Sequence, residues 1–280
     1  MSGSAEQPKE FHERYVEEHV PFHSSPRGLK RLILSVLPYW SYREWRFWER
    51  RVPRGCRLLD LGCARGREVF RERASFVVGV DLARNALSDC VGNYDGALEA
   101  TLMGLPVVGQ SFDCVVSSHV LGHVPPSHKD QVLGEIHRVL RPGGLSLHVI
   151  ETDSRCWLIW SAKQSPELYQ RHLIERDGHV GLELPSEVVT RFERAGFEVE
   201  SVGVLADGDV HPRLAVKWFA NEYCEASDEL AAFVDKSETI LANPIRLAWH
   251  EVRLGMRGGG EAERSRLDDA LFVATVLRKR

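Results

Sequence analysis

The stretch LLDLGCARGR, residues 58–67, decides how this chain folds. An apolar run ends at Asp60 and passes into Gly62, Ala64 and Gly66. Small residues at alternate positions let a chain turn sharply and bring its backbone against a ligand before a helix starts. Working outward, RLLDLG (57–62), FVVGVD (76–81), FDCVVSS (112–118) and LSLHVIE (145–151) are short runs rich in Val, Ile and Leu, as strands buried on both faces are. A weaker strand is expected around Leu98 to Leu102 and a final one in ALFVATVL, 270–277. Helical patterns alternate with these runs, which predicts an α/β fold built on a parallel sheet.

Three helices carry clear signals. Between Ser127 and Leu140, apolar residues recur at helical spacing, Ser127 and Asp130 suggest a capping box, and Pro142, Gly143 and Gly144 suggest a stop. Ser186 is expected to cap a second helix, with Val188, Val189, Phe192 and Ala195 on one face. Asn243 and Pro244 start a third, with Ile245, Trp249, Val252 and Met256 expected to face inward. The Gly-rich, charged stretch 257–269 reads as a surface loop.

Two ligand classes compete for the glycine turn. A dinucleotide fingerprint wants a third glycine where Arg67 stands and carries no acid at the place of Asp60. Asp81 ends the next strand about twenty residues on, where a carboxylate can accept two hydrogen bonds from a ribose diol. An acid beside the turn can in addition face an amino group, so the pattern points to an amino-acid-bearing nucleoside.

These motifs, followed by FDCVVSSHVLGHV (112–124) and VLRPGG (139–144), stand in one order between about residues 55 and 150. In this they resemble the class I S-adenosylmethionine-dependent methyltransferases, of the small-molecule, type 11-like kind. The resemblance implies a Rossmann-like, mostly parallel seven-stranded sheet with helices on both faces and helical insertions. It also implies S-adenosylmethionine as cofactor and S-adenosylhomocysteine as product. Carried over residue by residue, the cofactor contacts are Asp60, Gly62, Cys63, Ala64 and Gly66 at the turn and Asp81 with Leu82 at the ribose. Thr101 and Leu102 fall at the adenine, and Ser117 and Ser118 at the end of the fourth strand. Ala64 replaces a glycine of the usual turn. Thr101 stands where relatives often carry an aspartate ahead of the Leu105-Pro106 pair, and can accept a hydrogen bond only more weakly.

Methyl transfer from a sulfonium is an in-line displacement, so positioning supplies much of the rate and a base is needed only if the acceptor starts protonated. Candidates at the carboxyl edge of the sheet are His119, His123, Glu151 and Asp153. His123 has a competing role in packing or backbone hydrogen bonding. His179, bracketed by Gly178 and Gly181, is the third candidate catalytic residue. Residues 1–54 are expected to form a helical cover, and 55–280 the methyltransferase domain with insertions at about 151–185 and 206–268. Aromatic residues there, Tyr39, Trp40, Trp45, Trp48, Trp157, Trp160, Tyr169, Trp218 and Phe219, suit either an organic acceptor or the small cores of the insertions.

Charge and cysteines narrow the partners. With 36 Lys and Arg against 40 Asp and Glu, the net charge is −4, which leaves a nucleic-acid acceptor to a local patch such as the arginines at 43, 46, 50, 51, 54 and 57. No Asn-Pro-Pro-aromatic element follows the fourth strand, where amino-methylating nucleic-acid enzymes of the family this chain resembles usually carry one, so the resemblance implies no nucleic-acid partner. The six cysteines form no C-x-x-C pair and no acidic cluster reads as a metal site, so no metal is expected. The first residues lack a secretory pattern and no apolar run is long enough to span a bilayer, so no membrane insertion and a cytoplasmic location are expected. The reading is methylation of a small or medium-sized molecule, at oxygen. The alternatives are nitrogen or carbon methylation of a metabolite, methylation of RNA or protein, and a cofactor-binding protein without turnover.

Overall fold

A computed structural model describes residues 9–19, 23–257 and 264–280. Its strands are β1 (Arg57–Leu61), β2 (Phe76–Asp81), β3 (Gly96–Glu99), β4 (Phe112–Ser118), β5 (Leu140–Glu151), β6 (Phe197–Ala206) and β7 (Phe272–Lys279). They form one seven-stranded sheet in the order β3-β2-β1-β4-β5-β7-β6, parallel from β3 to β5, with β7 antiparallel to both its neighbours. This is the mostly parallel Rossmann-like sheet expected from the sequence. Successive residues of a strand point to opposite faces. Leu58, Cys114 and Val116 accordingly join one apolar cluster, whereas Leu59, Leu61 and Val115 join the other. Because helices cover both faces, the central strands are apolar throughout.

The chain leaves β1 toward β2 on one side and reaches β4 on the other, so the strand order reverses at β1. In open α/β sheets ligands bind beyond the carboxyl ends of the strands at such a point. There the turn 62–66 and Asp81 lie. Covering segments converge on the same edge. They are the N-terminal helices Lys9–His19 and Arg43–Arg51, residues 177–179 after β5, and residues 214–218 after β6. Phe219, Tyr223, Leu230 and Val234, further along the chain after β6, are buried in the same apolar cluster as Leu58 and Val116 of the sheet. Among the described residues no helix is long and apolar enough to cross a membrane.

Several local expectations are corrected. β5 starts at Leu140 rather than 145, immediately after the helix Pro126–Val139, and takes Pro142, Gly143 and Gly144 into the strand, Gly143 with φ +74°. Ser127 does not cap that helix, since Pro126 occupies its first position, and Asp130 pairs with Arg191 instead. Pro185 likewise opens the next helix, Pro185–Arg194, where the Ser186 N–H donates to Asp268 Oδ1 (3.0 Å). β3 is shorter and earlier than Leu98 to Leu102, and β7 runs from 272 to 279. The stretch 257–269 contains a 3-10 turn at Arg264–Asp269, and its residues 258–263 lie outside the described residues.

Asn243 does cap the helix Pro244–Arg257, its Oδ1 accepting from the Ile245 and Arg246 N–H groups (3.0 and 3.1 Å). The inward face is nevertheless the opposite one. Ile245, Trp249 and Met256 are 82%, 67% and 61% exposed, while Glu251, Leu254 and Gly255 are buried. Gly255 lies so close to the Pro38 carbonyl that a Cβ would sit 1.3 Å from its oxygen. Glu251 accepts from the Ser41 N–H (2.9 Å) and hydroxyl and pairs with His211 Nε2 (3.0 Å). These contacts fasten the N-terminal segment at Ser41 to the segment after β6.

Candidate functional site

A cavity of about 520 Å³ opens at the carboxyl ends of β1, β2, β4 and β5. One half is built by the glycine turn. The Gly62 and Cys63 N–H groups donate to the Val80 carbonyl (2.8 and 3.1 Å), which folds the turn over the end of β2. Gly62, Ala64 and Gly66 all have positive φ, at +63°, +45° and +85°. Alanine at +45° is uncommon and costs energy. A hydrogen bond offsets part of that cost, from the Ala64 N–H to Asp81 Oδ2 (2.7 Å). Asp81 Oδ1 accepts from the Ala83 N–H (2.8 Å), so one carboxylate joins the turn to the end of β2. Burial pushes its pKa up, against the pull of those two N–H groups.

Of the residues expected at the cofactor, Gly62, Cys63, Ala64 and Gly66 line the cavity, as do Asp81, Leu82, Thr101, Leu102 and Ser118. The Thr101 hydroxyl accepts from the Met103 N–H (3.3 Å). Asp60 and Ser117 lie outside the lining. Asp60 is buried beneath the turn, where the Tyr94 hydroxyl donates to its Oδ2 (2.8 Å) and accepts from the Arg67 N–H (2.8 Å). Burial raises its pKa to about 7. Ser117 is spent inside the sheet on His148 Nδ1 (2.7 Å). A Cβ at Gly62 would stand 2.3 Å from Val120 Cγ2. Gly62→Ala is therefore expected to displace the turn and weaken S-adenosylmethionine binding at least 10-fold, read by calorimetry; an unchanged affinity would show that the turn does not contact the cofactor.

The other half is a chain of alternating charges. Glu44 of the helix Arg43–Arg51 accepts from the Ser118 hydroxyl on Oε2 (2.9 Å) and meets His119 Nε2 on Oε1 (2.8 Å). Arg67 donates to Ser118 Oγ (2.8 Å) and lies 3.5 Å from Glu44 Oε2. His119 Nδ1 is 3.1 Å from Glu151 Oε1, and Glu151 Oε2 faces His179 Nε2 at 3.0 Å and His123 Nε2 at 4.0 Å. Burial opposes the charge on His119, but Glu44 and Glu151 outweigh it and raise its pKa to about 10. The two carboxylates thus favour the protonated form of His119, which weighs against the general-base role expected from its intrinsic pKa. Its φ of +58° is a second uncommon backbone, held where β4 meets the cavity.

His123 lies in a different field. Burial and the neighbouring His179 lower its pKa to about 4, and its Nδ1 faces the Gly178 carbonyl (3.1 Å). Burial also works against protonation of His179, yet Glu151 raises its pKa overall. Glu44 and Glu151 are both held well below the usual carboxylate range, their cationic neighbours overcoming burial. All three histidines line the cavity; Asp153 does not, being paired with Lys163.

Sequence reading missed Glu44, Arg67 and His23, which line this half. Glu44 reaches Ser118 and His119 across more than 70 positions, so no local pattern announces it. Of the nine aromatic residues noted above, Trp40 and Trp218 line the cavity. Trp48 and Phe219 are fully buried instead, and Trp160 is exposed. The arginine run is also divided. Arg43 lies over the Trp40 ring (3.5 Å), Arg46 donates to the Tyr39 carbonyl (2.8 Å), and Arg57 stacks on Phe76 (4.3 Å).

Residues 59–147 match the methyltransferase domain family. Over 141 residues the chain is 24% identical to the Arabidopsis thaliana tRNA (carboxymethyluridine(34)-5-O)-methyltransferase, covering 48% of this chain and 33% of that one. Over 199 residues it is 30% identical to the 24-methylenesterol C-methyltransferase 2 of Oryza sativa subsp. japonica, covering 64% and 50%. The chain thus spans between a third and a half of these curated relatives. A solved SAM-dependent methyltransferase of Thermotoga maritima superposes with a TM-score of 0.57 at 14% identity, over 97% of this chain and 99% of that one, a likeness of fold. Residues 59–147, which include the glycine turn and Asp81, thus carry a methyltransferase domain, set in a seven-stranded Rossmann-like sheet.

Proposed function

We propose that this protein transfers a methyl group from S-adenosylmethionine to an oxygen of a small or medium-sized organic molecule. The observation that carries this reading is the continuity of the cavity from the glycine turn and Asp81 to a second half walled by Trp40, Glu44, His179, Trp218 and Phe272. A cavity of this size, apolar walls with a few converging polar groups, suits a small acceptor. S-adenosylmethionine fits the first half by the chemistry of its donors and acceptors. Asp81 would hold the ribose diol, the backbone of 62–66 would lie against the methionine part, and Thr101 and Leu102 would flank the adenine.

The bound cofactor supplies an electrophilic methyl group on a sulfonium. The protein's part is to hold the acceptor oxygen behind that methyl and give its proton a destination. Trp40, Trp218 and Phe272 close around the acceptor's apolar body and limit water. The oxygen faces Glu151 with His123 and His179, and the proton passes to that cluster as the new bond forms. His119, whose protonated form the two carboxylates favour, fixes the orientation of Glu151 and Glu44.

A tRNA acceptor is the second reading, supported by the similarity to the Arabidopsis enzyme. The engagement of Arg43, Arg46 and Arg57 with Trp40, Tyr39 and Phe76, which leaves Arg50, Arg51 and Arg54 as the exposed part of the run, weighs against it. The test is S-adenosylhomocysteine formation with purified protein against a panel of hydroxyl, amine and carbon acceptors and total tRNA. Turnover with a hydroxyl acceptor is expected. Turnover with tRNA alone, or with amines alone, would overturn the proposal.

A further inference from the structure

We propose that His123, Glu151 and His179 form a binding site for one divalent transition-metal ion, of which zinc is the type, at the acceptor end of the cavity. Their ligand atoms, one from each residue, all lie within 4.8 Å of one another. Zinc takes imidazole nitrogens and carboxylate oxygens at about 2.0–2.2 Å, which spaces ligand atoms about 3.4 Å apart in a tetrahedral set. The separations from Glu151 Oε2, 3.0 Å to His179 Nε2 and 4.0 Å to His123 Nε2, bracket that value. Shifts of a few tenths of an ångström would seat an ion.

The tautomers support the same conclusion. His123 Nδ1 faces the Gly178 carbonyl (3.1 Å) and His179 Nδ1 the Leu173 carbonyl (3.0 Å). A carbonyl can only accept, so each Nδ1 carries the hydrogen, and in the neutral ring Nε2 presents a lone pair. Metal-bound histidines are held in this way, with the far nitrogen donating to a carbonyl or carboxylate. Both Nε2 atoms therefore face one carboxylate oxygen, Glu151 Oε2, and a cation between the three would be held by all of them. His179 Nε2 and Glu151 Oε2 are buried and, despite their 3.0 Å approach, lack the alignment of a hydrogen bond. A third centre accounts for two groups that approach each other without aligning.

The surrounding backbone is built for close approach. Gly122 lies where a Cβ would be 3.4 Å from Glu151 Oε2, and a Cβ at Gly178 would meet Phe11 at 2.5 Å. A Cβ at Gly181 would stand 1.9 Å from the Val124 carbonyl oxygen, and the Gly181 N–H donates to the Gly122 carbonyl (2.9 Å). Lys129 binds the Gly181 carbonyl and Glu183, which anchors the loop carrying His179. Glu151 Oε1 is meanwhile held by His119, leaving Oε2 for the ion. Two histidines and one carboxylate leave coordination positions open toward the cavity, as in sites that bind a reacting oxygen. That role toward the acceptor rests on the methyltransferase reading above; the ion site itself does not.

The test is metal binding by the full chain, stripped with chelator and titrated with Co²⁺, read by its visible absorption and by competition with Zn²⁺. One equivalent is expected, with bands of four- or five-coordinate cobalt, and His179→Ala and His123→Ala should each weaken binding about 100-fold or more. Circular dichroism and the thermal midpoint of each variant show whether it has folded. His179→Cys, which keeps a metal-binding side chain in the loop, should retain binding and change the cobalt spectrum. No cobalt bound by the wild-type chain, or equal binding by wild type and folded alanine variants, would overturn the proposal. S-adenosylmethionine binding, measured on the same stripped protein, reports separately on the methyltransferase reading.

Discussion

Asp81→Ala is expected to weaken S-adenosylmethionine binding about 10- to 150-fold, with no comparable loss of global stability. The size follows from removing one charged hydrogen-bonding partner, about 1.5 to 3 kcal/mol. Two losses coincide. The carboxylate that would hold the ribose disappears, and the Ala64 and Ala83 N–H groups lose their acceptor. Because Ala64 has a positive φ, the turn loses the hydrogen bond that offsets the cost of that conformation, while the Gly62 and Cys63 bonds to the Val80 carbonyl remain. Asp81→Asn separates these effects, since an amide oxygen can still accept one N–H while the charge is lost. Calorimetric titration of the three proteins checks the order: wild type tightest, Asn intermediate, Ala weakest. Equal affinities would remove Asp81 from the cofactor site.

The second large effect belongs to Glu44. Glu44→Ala leaves Arg67 and His119 without the carboxylate that lies between them, and removing one member of a buried charge set costs about 3 to 5 kcal/mol. The lower end applies here, because the Glu44 and His119 side chains keep 18% and 27% of their exposure. The variant should unfold at lower urea concentration with an unchanged slope. It should also lose the fixed charge on His119, whose pKa depends on Glu44 and Glu151 together. A double-mutant cycle with His119→Ala should show a coupling above about 0.5 kcal/mol, as for residues in contact. Additive effects would mean that the 2.8 Å contact contributes nothing.

What the sequence could and could not show follows from the range of the interactions. The turn at 62–66 and Asp81 are legible because each is a local event at a strand end, written in adjacent residues. The helix at 244–257 was legible in its start, Asn243 and Pro244, but not in its facing. Its buried side carries Glu251, whose polarity is matched only by Ser41 and His211 from far along the chain. Strand β6 was implied by the family's topology alone, because its Glu, Ser and Gly residues dilute the apolar run. The catalytic candidates show the same limit. His119, His123 and His179 were found by residue type, yet their protonation depends on burial and on neighbours from other elements: Glu44 and Glu151 for His119, Glu151 for His179, and His179 for His123. Intrinsic pKa alone makes His119 a candidate base, whereas its two carboxylate neighbours favour its protonated form.

The central claim is that this cavity binds S-adenosylmethionine through the glycine turn and Asp81. Isothermal titration of the full chain with S-adenosylhomocysteine tests it most directly. The account predicts one site per chain, saturable at micromolar ligand, with affinity reduced at least 10-fold by Asp81→Ala. No heat of binding at millimolar ligand, or a signal unchanged by that substitution, would contradict it.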